Sequence, residues 1–292
     1  MTYQVRIECD SVNTSGDRLT SWVLTYPRFV HAELMTHRLF SRNSSSSRAI
    51  PVEKLIKQTF DDPALPVYWG KNQKGMQADE ELSEELQGMA TRTWLSARDR
   101  AVDAARDLLA IGVHKQITNR LLEPWMWITV IVSATEFENW FALRDHKDAQ
   151  PEIREVAARM FSFYKSSEPR LMRTGSWHLP FIAQEDRYVA ADYWPEADHL
   201  DILKKVSVGR CARVSYLTHD GKRDLREDVN LHDRLAATDS SGDPGHYSPF
   251  EHQAYALNSS ERWGNFIGWR QYRKQFKHEH RGRNIECLQR GN

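Results

Sequence analysis

The run Trp125-Met-Trp-Ile-Thr-Val-Ile-Val132 narrows the possible folds more than any other segment of this chain. It is rich in aromatic and β-branched residues, which suit a packed, pleated surface, so it reads as a buried strand. Two more strands are expected at Val5–Cys9 and Leu19–Tyr26, separated by a Ser/Asn/Gly turn region from Ser11 to Asp17. Around them lie stretches with helical spacing. Gln77–Ile111 is the longest, with Leu82, Leu86, Met89, Trp94 and Leu108 in its apolar stripe and Gly112 ending it. Val52–Phe60, Thr135–Leu143, Pro151–Lys165, Leu200–Val214, Arg223–Ala237 and the basic, aromatic Trp263–Phe276 read as further helices. Pro27 suits the first turn of a short helix whose apolar side is Phe29, Val30, Ala32, Leu34 and Met35. Asp61–Gly75 and Thr238–Gly245 are loops. Strands mixed with long helices argue an α+β or α/β architecture.

Composition removes several function classes. Forty basic and forty acidic residues cancel, so nothing in the bulk charge draws the chain to nucleic acid or to an anionic membrane. No apolar run approaches the roughly 20 residues that span a bilayer, and the N-terminus lacks the apolar core of a signal peptide. Cys9, Cys211 and Cys287 are scattered, fitting neither a disulfide framework nor a close metal-ligand pair. A soluble cytoplasmic protein is the expectation. Glu251–His252 has no evident third ligand, so no metal site is expected. At 292 residues the chain is long enough to bury a real core, as one large domain or two small ones.

The chemistry concentrates in Thr36-His-Arg-Leu-Phe-Ser-Arg-Asn-Ser-Ser-Ser-Ser-Arg48, which carries three arginines, a histidine, an asparagine and five serines. Hydroxyls and backbone N–H groups can wrap phosphate oxygens, and arginine adds a planar fork that grips them bidentately. A short helix feeds the run and Pro51 disfavours helix at the residue before it. A Ser-rich run is otherwise a solvated loop, but the cations spaced within this one favour an anion or nucleotide site.

This stretch resembles the signature of the flavin-dependent thymidylate synthases: Arg-His-Arg, seven residues, then Ser, with an internal Ser-x-Asn and a closing Ser-x-Arg. His37, Arg38, Ser41, Asn43, Ser46 and Arg48 match, while Thr36 stands for the first arginine and Ser44 for the usual glutamate. A second block, Arg120-Leu-Leu-Glu-Pro124 with Asn139-x4-Arg144 and Ala149-Gln-Pro-Glu-Ile153, resembles the same family. A third block joins Ala212-Arg-Val-Ser215 to Gly245-His-Tyr-Ser-Pro-Phe-Glu-His252 and looks like the segment that opens the family's sequences, displaced here to follow the others. That order is consistent with circular permutation. The resemblance implies an α+β fold, a mixed sheet with long helices. It also implies a single catalytic domain over 1–292, with motif blocks 27–51, 114–154 and 207–252 and a helical insert at about 61–113.

The resemblance further implies FAD as cofactor, methylenetetrahydrofolate and NADPH as co-substrates, dUMP as substrate, and a homotetramer with shared active sites. By its residues, His37, Arg38, Asn43, Asn139, Ser215, His246 and Ser248 would hold FAD. Ser46, Ser47, Arg48 and Arg120 would hold the nucleotide, the two arginines on its phosphate, with Glu33 near the nucleotide. Arg144 and Ser46 are the catalytic candidates, Arg144 as a fixed cation facing negative charge on the pyrimidine carbonyls. Arg144 could instead pair with Glu136 or Glu138, and His246 could simply fix a turn. Cys211 reads as a buried small apolar residue rather than a nucleophile.

The departures open other readings. Ser133 and Thr135 replace an Asn and an Arg near the flavin, and Asp148 replaces a histidine. Glu33 stands where glutamine is frequent; a carboxylate there favours a base that donates, such as cytosine, and a hydroxymethyl rather than methyl product is an alternative. A different class, a non-catalytic nucleotide- or nucleic-acid-binding protein, would rest on the tail Arg270–Arg283, which interleaves basic and aromatic residues. A helix covering the core with its basic face in water is the preferred reading of that tail.

Overall fold

The computed structural model describes residues 3–216, 224–236, 245–276 and Glu279. Cys287, residues 238–244 of the expected loop and the tail beyond Phe276, Glu279 excepted, lie outside them. In chain order the elements are β1 (Gln4–Asn13), β2 (Arg18–Pro27), α1 (His31–Met35), β3 (Ser41–Ser44), α2 (Val52–Asp61), α3 (Glu84–Ala110), α4 (Lys115–Thr118) and β4 (Trp127–Ala134). They continue with α5 (Glu138–Arg144), α6 (Pro151–Ser166), β5 (Arg170–Met172), β6 (Trp177–His178), α7 (Gln184–Tyr193), α8 (His199–Arg213) and α9 (Leu225–Ala236). The last are β7 (Ala254–Ala256), β8 (Arg262–Trp263), β9 (Phe266–Ile267) and β10 (Trp269–Gln271).

Five strands form the main sheet in the order β3-β4-β2-β1-β5. Its pairs are antiparallel except β1 with β5, so the sheet is mixed and the fold is α+β. The apolar run does become the strand β4, hydrogen-bonded on one side to β2 from Thr20↔Ala134 to Pro27↔Trp127 and on the other to β3. Period-2 alternation sorts its side chains. Ile128, Val130, Val132 and Ala134, with Trp22, Leu24 and Tyr26 of β2, bury against α1, α5 and α6 through Leu34, Phe137, Trp140, Ile153, Val156 and Met160. Ile131 faces the other way and packs on Cys211 and Val214 at the end of α8. Each large side chain buried this way contributes about 1.5–3 kcal/mol.

Polar residues on that second face close a seam between the sheet and the C-terminal segments. Ser11 Oγ bonds His178 Nδ1 (2.9 Å), and His178 Nε2 bonds Ser21 Oγ (2.9 Å). Ser21 Oγ meets Ser133 Oγ at 2.5 Å, and Ser133 Oγ meets His252 Nδ1 at 2.9 Å. Ser133 is therefore an interior joint. Nearby, Arg210 of α8 donates to Asp186 (2.7 and 2.8 Å) and to Asp228 (3.0 Å), a buried ion-pair network that ties α7, α8 and α9 together. Gly209 allows the approach, since a Cβ there would lie 2.5 Å from the Asp228 carbonyl oxygen.

Several expected elements are corrected. Trp263–Phe276 is not a helix: it forms β8, β9, β10 and a closing 3-10 turn, Tyr272–Gln275. Gly264 (φ +65°) and Gly268 (φ +73°) adopt the left-handed conformation that a right-handed helix excludes. A Cβ on Gly268 would run into Asp17 and Asn13. Pro27 ends β2 rather than opening a helix, and a 3-10 turn, Arg28–Val30, precedes α1. Helix α3 begins at Glu84, seven residues after the expected Gln77, because Gly70 and Glu81 bridge in extended form before it. Helix α5 starts at Glu138, three residues after the expected Thr135, whose hydroxyl instead accepts from Ile267 N (3.1 Å) at a bend.

Burial holds the His178 and His252 imidazoles far down, each to about 3, with Asp10 opposing the shift at His178 and His178 adding to it at His252. Both are neutral in the fold, whereas the unfolded chain takes up their protons near pH 6.5. Stability is therefore complete above pH 6.5 and falls as pH drops from there toward 3, by on the order of 1–2 kcal/mol per imidazole at pH 5. The urea midpoint at pH 5 is expected below that at pH 7.5, and a His178→Asn/His252→Asn variant should show a smaller difference.

Candidate functional site

Helix α1 stops at Met35 and the signature turns. His37 N donates to Leu34 O (3.1 Å), Phe40 N to His37 O (3.2 Å), and the Arg42 guanidinium to Met35 O (3.1 Å) and His37 O (2.9 Å). The next residues enter the sheet as β3, with Asn43 opposite Ile131. The pairing continues to Ser45, whose N–H donates to Thr129 O (2.8 Å) and whose hydroxyl accepts from Thr129 N (3.1 Å). The chain then leaves the sheet at Ser46.

The structure sorts the signature and its partners into two places. The first surrounds Arg144. Its Nε donates to His37 Nε2 (3.2 Å), one terminal nitrogen to Glu33 O (3.3 Å) and Thr36 Oγ1 (3.1 Å), and the other pairs with the Glu33 carboxylate. The ion-pair partner of Arg144 is thus Glu33, and Glu136 pairs instead with Arg262 (2.7 Å). His37 stacks on Phe40 and meets Trp140 edge-on at 4.9 Å between ring centroids. Burial, then Arg144 and Arg42, push the His37 imidazole down to about 4 against the opposing Glu33, so it is neutral and accepts from Arg144. Arg38 and Asn139 are exposed beside this cluster and hold no side-chain partner among the described residues. Met35, Leu39 and Leu143 are 45%, 42% and 56% exposed.

The second place is a cavity of about 330 Å³ lined by Ser46, Arg48, Ser215 and His246, together with His114 and Gln116. Here the third block meets the first. Ser46 N donates to Ser215 O (2.9 Å), Ser215 Oγ to Asn43 Oδ1 (3.2 Å), and Asn43 Nδ2 to Cys211 O (2.7 Å). His246 is anchored by its backbone N–H on Leu235 O (2.9 Å) and keeps its side chain exposed. Ser248 opens the 3-10 turn that runs to Glu251. The displaced block therefore stands against the signature.

Other candidates have structural partners. Ser47 is buried and donates to Glu123 (2.7 Å), which also takes Arg120 (2.7 Å) and Arg28 (3.0 Å). Burial pushes the Glu123 carboxyl up, but Ser47 and the two arginines outweigh it and hold it below the usual range. Asn43, buried behind the cavity, accepts from Ser215 and donates to Cys211 O, so it supports the wall that Ser215 lines. Burial pushes the Cys211 thiol well above its ordinary range, which leaves no thiolate there. Glu251 pairs with Arg273 and His252 with Ser133. Among the described residues, no three His, Cys, Asp or Glu side chains gather where a metal ion could sit. His114, Gln116 and the buried Asn119, which donates to Ser47 O (2.6 Å) and Ile50 O (3.0 Å), carried no sequence signal, since each is an isolated polar residue with no spacing to mark it.

The fold is thus a mixed α+β sheet whose edge strand leads into a cavity shared by Ser46, Arg48, Ser215 and His246. The family described as "Thymidylate synthase complementing protein" matches residues 19–170, more than half of the chain. The protein belongs to this family, that of the flavin-dependent thymidylate synthases. Among curated proteins none matches the sequence. Among solved structures, it is similar to a UMP/dUMP methylase PolB from Streptomyces cacaoi bound with 5-Br UMP, at 16% identity and TM-score 0.46 over 56% of this chain and 89% of that one. The same methylase bound with 5-Br dUMP matches at 17% identity and TM-score 0.42, over 51% of this chain and 66% of that one.

Asn43→Ala leaves the Cys211 carbonyl oxygen and the Ser215 hydroxyl without their partner in the interior. The expected cost is about 1–3 kcal/mol in urea unfolding. An unchanged unfolding midpoint would return Asn43 to a purely ligand-binding role.

Proposed function

We propose that the protein transfers a one-carbon unit to C5 of a pyrimidine deoxynucleotide, in the first instance dUMP to dTMP, using FAD, methylenetetrahydrofolate and NADPH. The observation that carries the reading is the contact between the signature and the displaced block: Ser46 on Ser215, with Arg48 and His246 lining one cavity. Family membership supplies the chemistry class. Exposed Arg38, Asn139 and His246, unpartnered among the described residues, fit the pyrophosphate and polar edges of a bound FAD. When bound, that group would supply hydride.

The chain's own residues would do the rest. Arg48, with Arg120 as second candidate, would hold the nucleotide phosphate, and Ser46 would orient it. Arg144, fixed by Glu33, Thr36 and His37, is a preorganised cation for charge developing on a pyrimidine carbonyl, with no reorganisation needed at that moment. His37, neutral, keeps the guanidinium in place without competing charge. Among the described residues no side-chain contact within one chain joins the Arg144 cluster to the Arg48 cavity, and exposed Met35, Leu39 and Leu143 border the former. Both features support a homo-oligomer, a tetramer by family, in which one subunit's Arg144 faces another's Arg48. Glu33 favours a second reading: its carboxylate only accepts, which suits a base with an exocyclic amine such as that of dCMP, and together with Ser133 and Thr135, which stand for the family's Asn and Arg, it is the ground for a hydroxymethyl rather than a methyl product.

Purified protein incubated with FAD is expected to retain an oxidised-flavin absorbance and, with methylenetetrahydrofolate and NADPH added, to release tritium from C5-labelled dUMP. Arg144→Ala should abolish the release while flavin stays bound. A preparation that remains colourless favours the non-catalytic binding protein, and mass spectrometry of products from dUMP and dCMP separates methyl from hydroxymethyl transfer.

A further inference from the structure

We infer that His114 is a phosphate-contacting residue of the nucleotide cavity, a role for the segment between α3 and β4 that the family signature does not assign. It rests on the reading of that cavity as a nucleotide site. His114 lines the same cavity as Arg48, Ser46, Ser215 and His246, and Gln116 stands beside it. The segment is docked on the signature by three hydrogen bonds: Lys115 Nζ donates to Ala49 O (3.0 Å), and Asn119 Nδ2 to Ser47 O (2.6 Å) and Ile50 O (3.0 Å). Asn119 is fully buried, so this placement is built into the interior and holds His114 at a constant position relative to Arg48.

The imidazole is also set in one tautomer. His114 caps α4, its Nδ1 accepting from Gln116 N (3.3 Å), so the proton of the neutral ring sits on Nε2. That N–H has no partner among the described residues, and its one requirement is an acceptor. Arg48, exposed and likewise without a side-chain partner there, is the neighbouring cation. An N–H donor, a guanidinium and the Ser46 hydroxyl, with the Gln116 amide as a further donor, complement an anion that offers several oxygens, which a phosphate monoester does. The cavity of about 330 Å³ leaves room for more than the phosphate alone, so the ligand class is a mononucleotide held by its phosphate end.

Calorimetric titration of the full chain with dUMP, deoxyuridine and inorganic phosphate tests the role. His114→Ala should weaken dUMP by about tenfold, as loss of one hydrogen bond to a charged group does, and leave deoxyuridine binding unchanged. His114→Asn retains a capping side chain for α4 but lacks the reach of Nε2, and should weaken dUMP equally. Equal loss for dUMP and deoxyuridine, no loss for either, or recovery of affinity in His114→Asn would overturn the assignment. If the wild-type protein binds inorganic phosphate in a His114-dependent way yet ignores dUMP, the phosphate contact stands and the pyrimidine reading falls. Wild-type protein that binds none of the three sinks both.

Discussion

The sheet pairing of β4 on both sides is the constraint from which the rest follows. A strand that apolar cannot face water, and its backbone N–H and C=O groups cannot be buried unpaired, so it must have neighbours on either edge and cover on either face. One neighbour is β2, itself largely buried. The other is Ser41–Ser44, a segment of serine, arginine and asparagine with little intrinsic preference for a strand. Tertiary demand overrides propensity there. By taking the signature as its partner, β4 converts a flexible polar run into an edge strand with a defined register, and the residues on either side of it, Thr36–Phe40 and Ser46–Arg48, are aimed by that register.

The two faces of the sheet are built by different means. The face toward α1, α5 and α6 is aromatic and aliphatic and is held by area alone. The face toward α8 and the C-terminal strands is closed through a run of serine hydroxyls and two buried imidazoles. Such a polar seam adds little net stability, because each bond replaces one with water, but it tolerates only one alignment of donors and acceptors. Specific alignment is what the C-terminal block requires, since it must bring Ser215 and His246 to the signature across a sequence separation of well over a hundred residues. The Gln271 amide, which donates to Ser41 Oγ (3.0 Å) and to Glu251 O (2.8 Å), locks the same junction from the far side.

The charges of the Arg144 cluster and of the Arg48 cavity are handled in opposite ways. Arg144 is held by Glu33, Thr36 and His37; Arg48 and Arg38 are exposed and have no side-chain partner among the described residues. A preorganised cation and an adaptable one suit different tasks, the first stabilising charge that develops during reaction and the second retaining charge already present on a ligand.

Much of this was legible beforehand, and for identifiable reasons. The apolar run, the proline-started helix at Pro151 and the helix at Val52 depend on local pattern, so periodicity and punctuation sufficed to place them. The signature, the Asn139–Arg144 spacing and the displaced Gly245–His252 block were recognisable because each packs several chemically specific residues into a short stretch. What periodicity misread was Trp263–Phe276, where an apolar and basic composition suggested a helix while two glycines in left-handed conformations were needed for a small sheet. The tertiary structure alone decided that Arg144 pairs with Glu33, that Ser47, Asn43 and Ser133 are interior joints, and that His114 lines the same cavity as Arg48. Those outcomes depend on contacts between residues tens to hundreds of positions apart, and only the closure of the sheet around β4 sets such contacts.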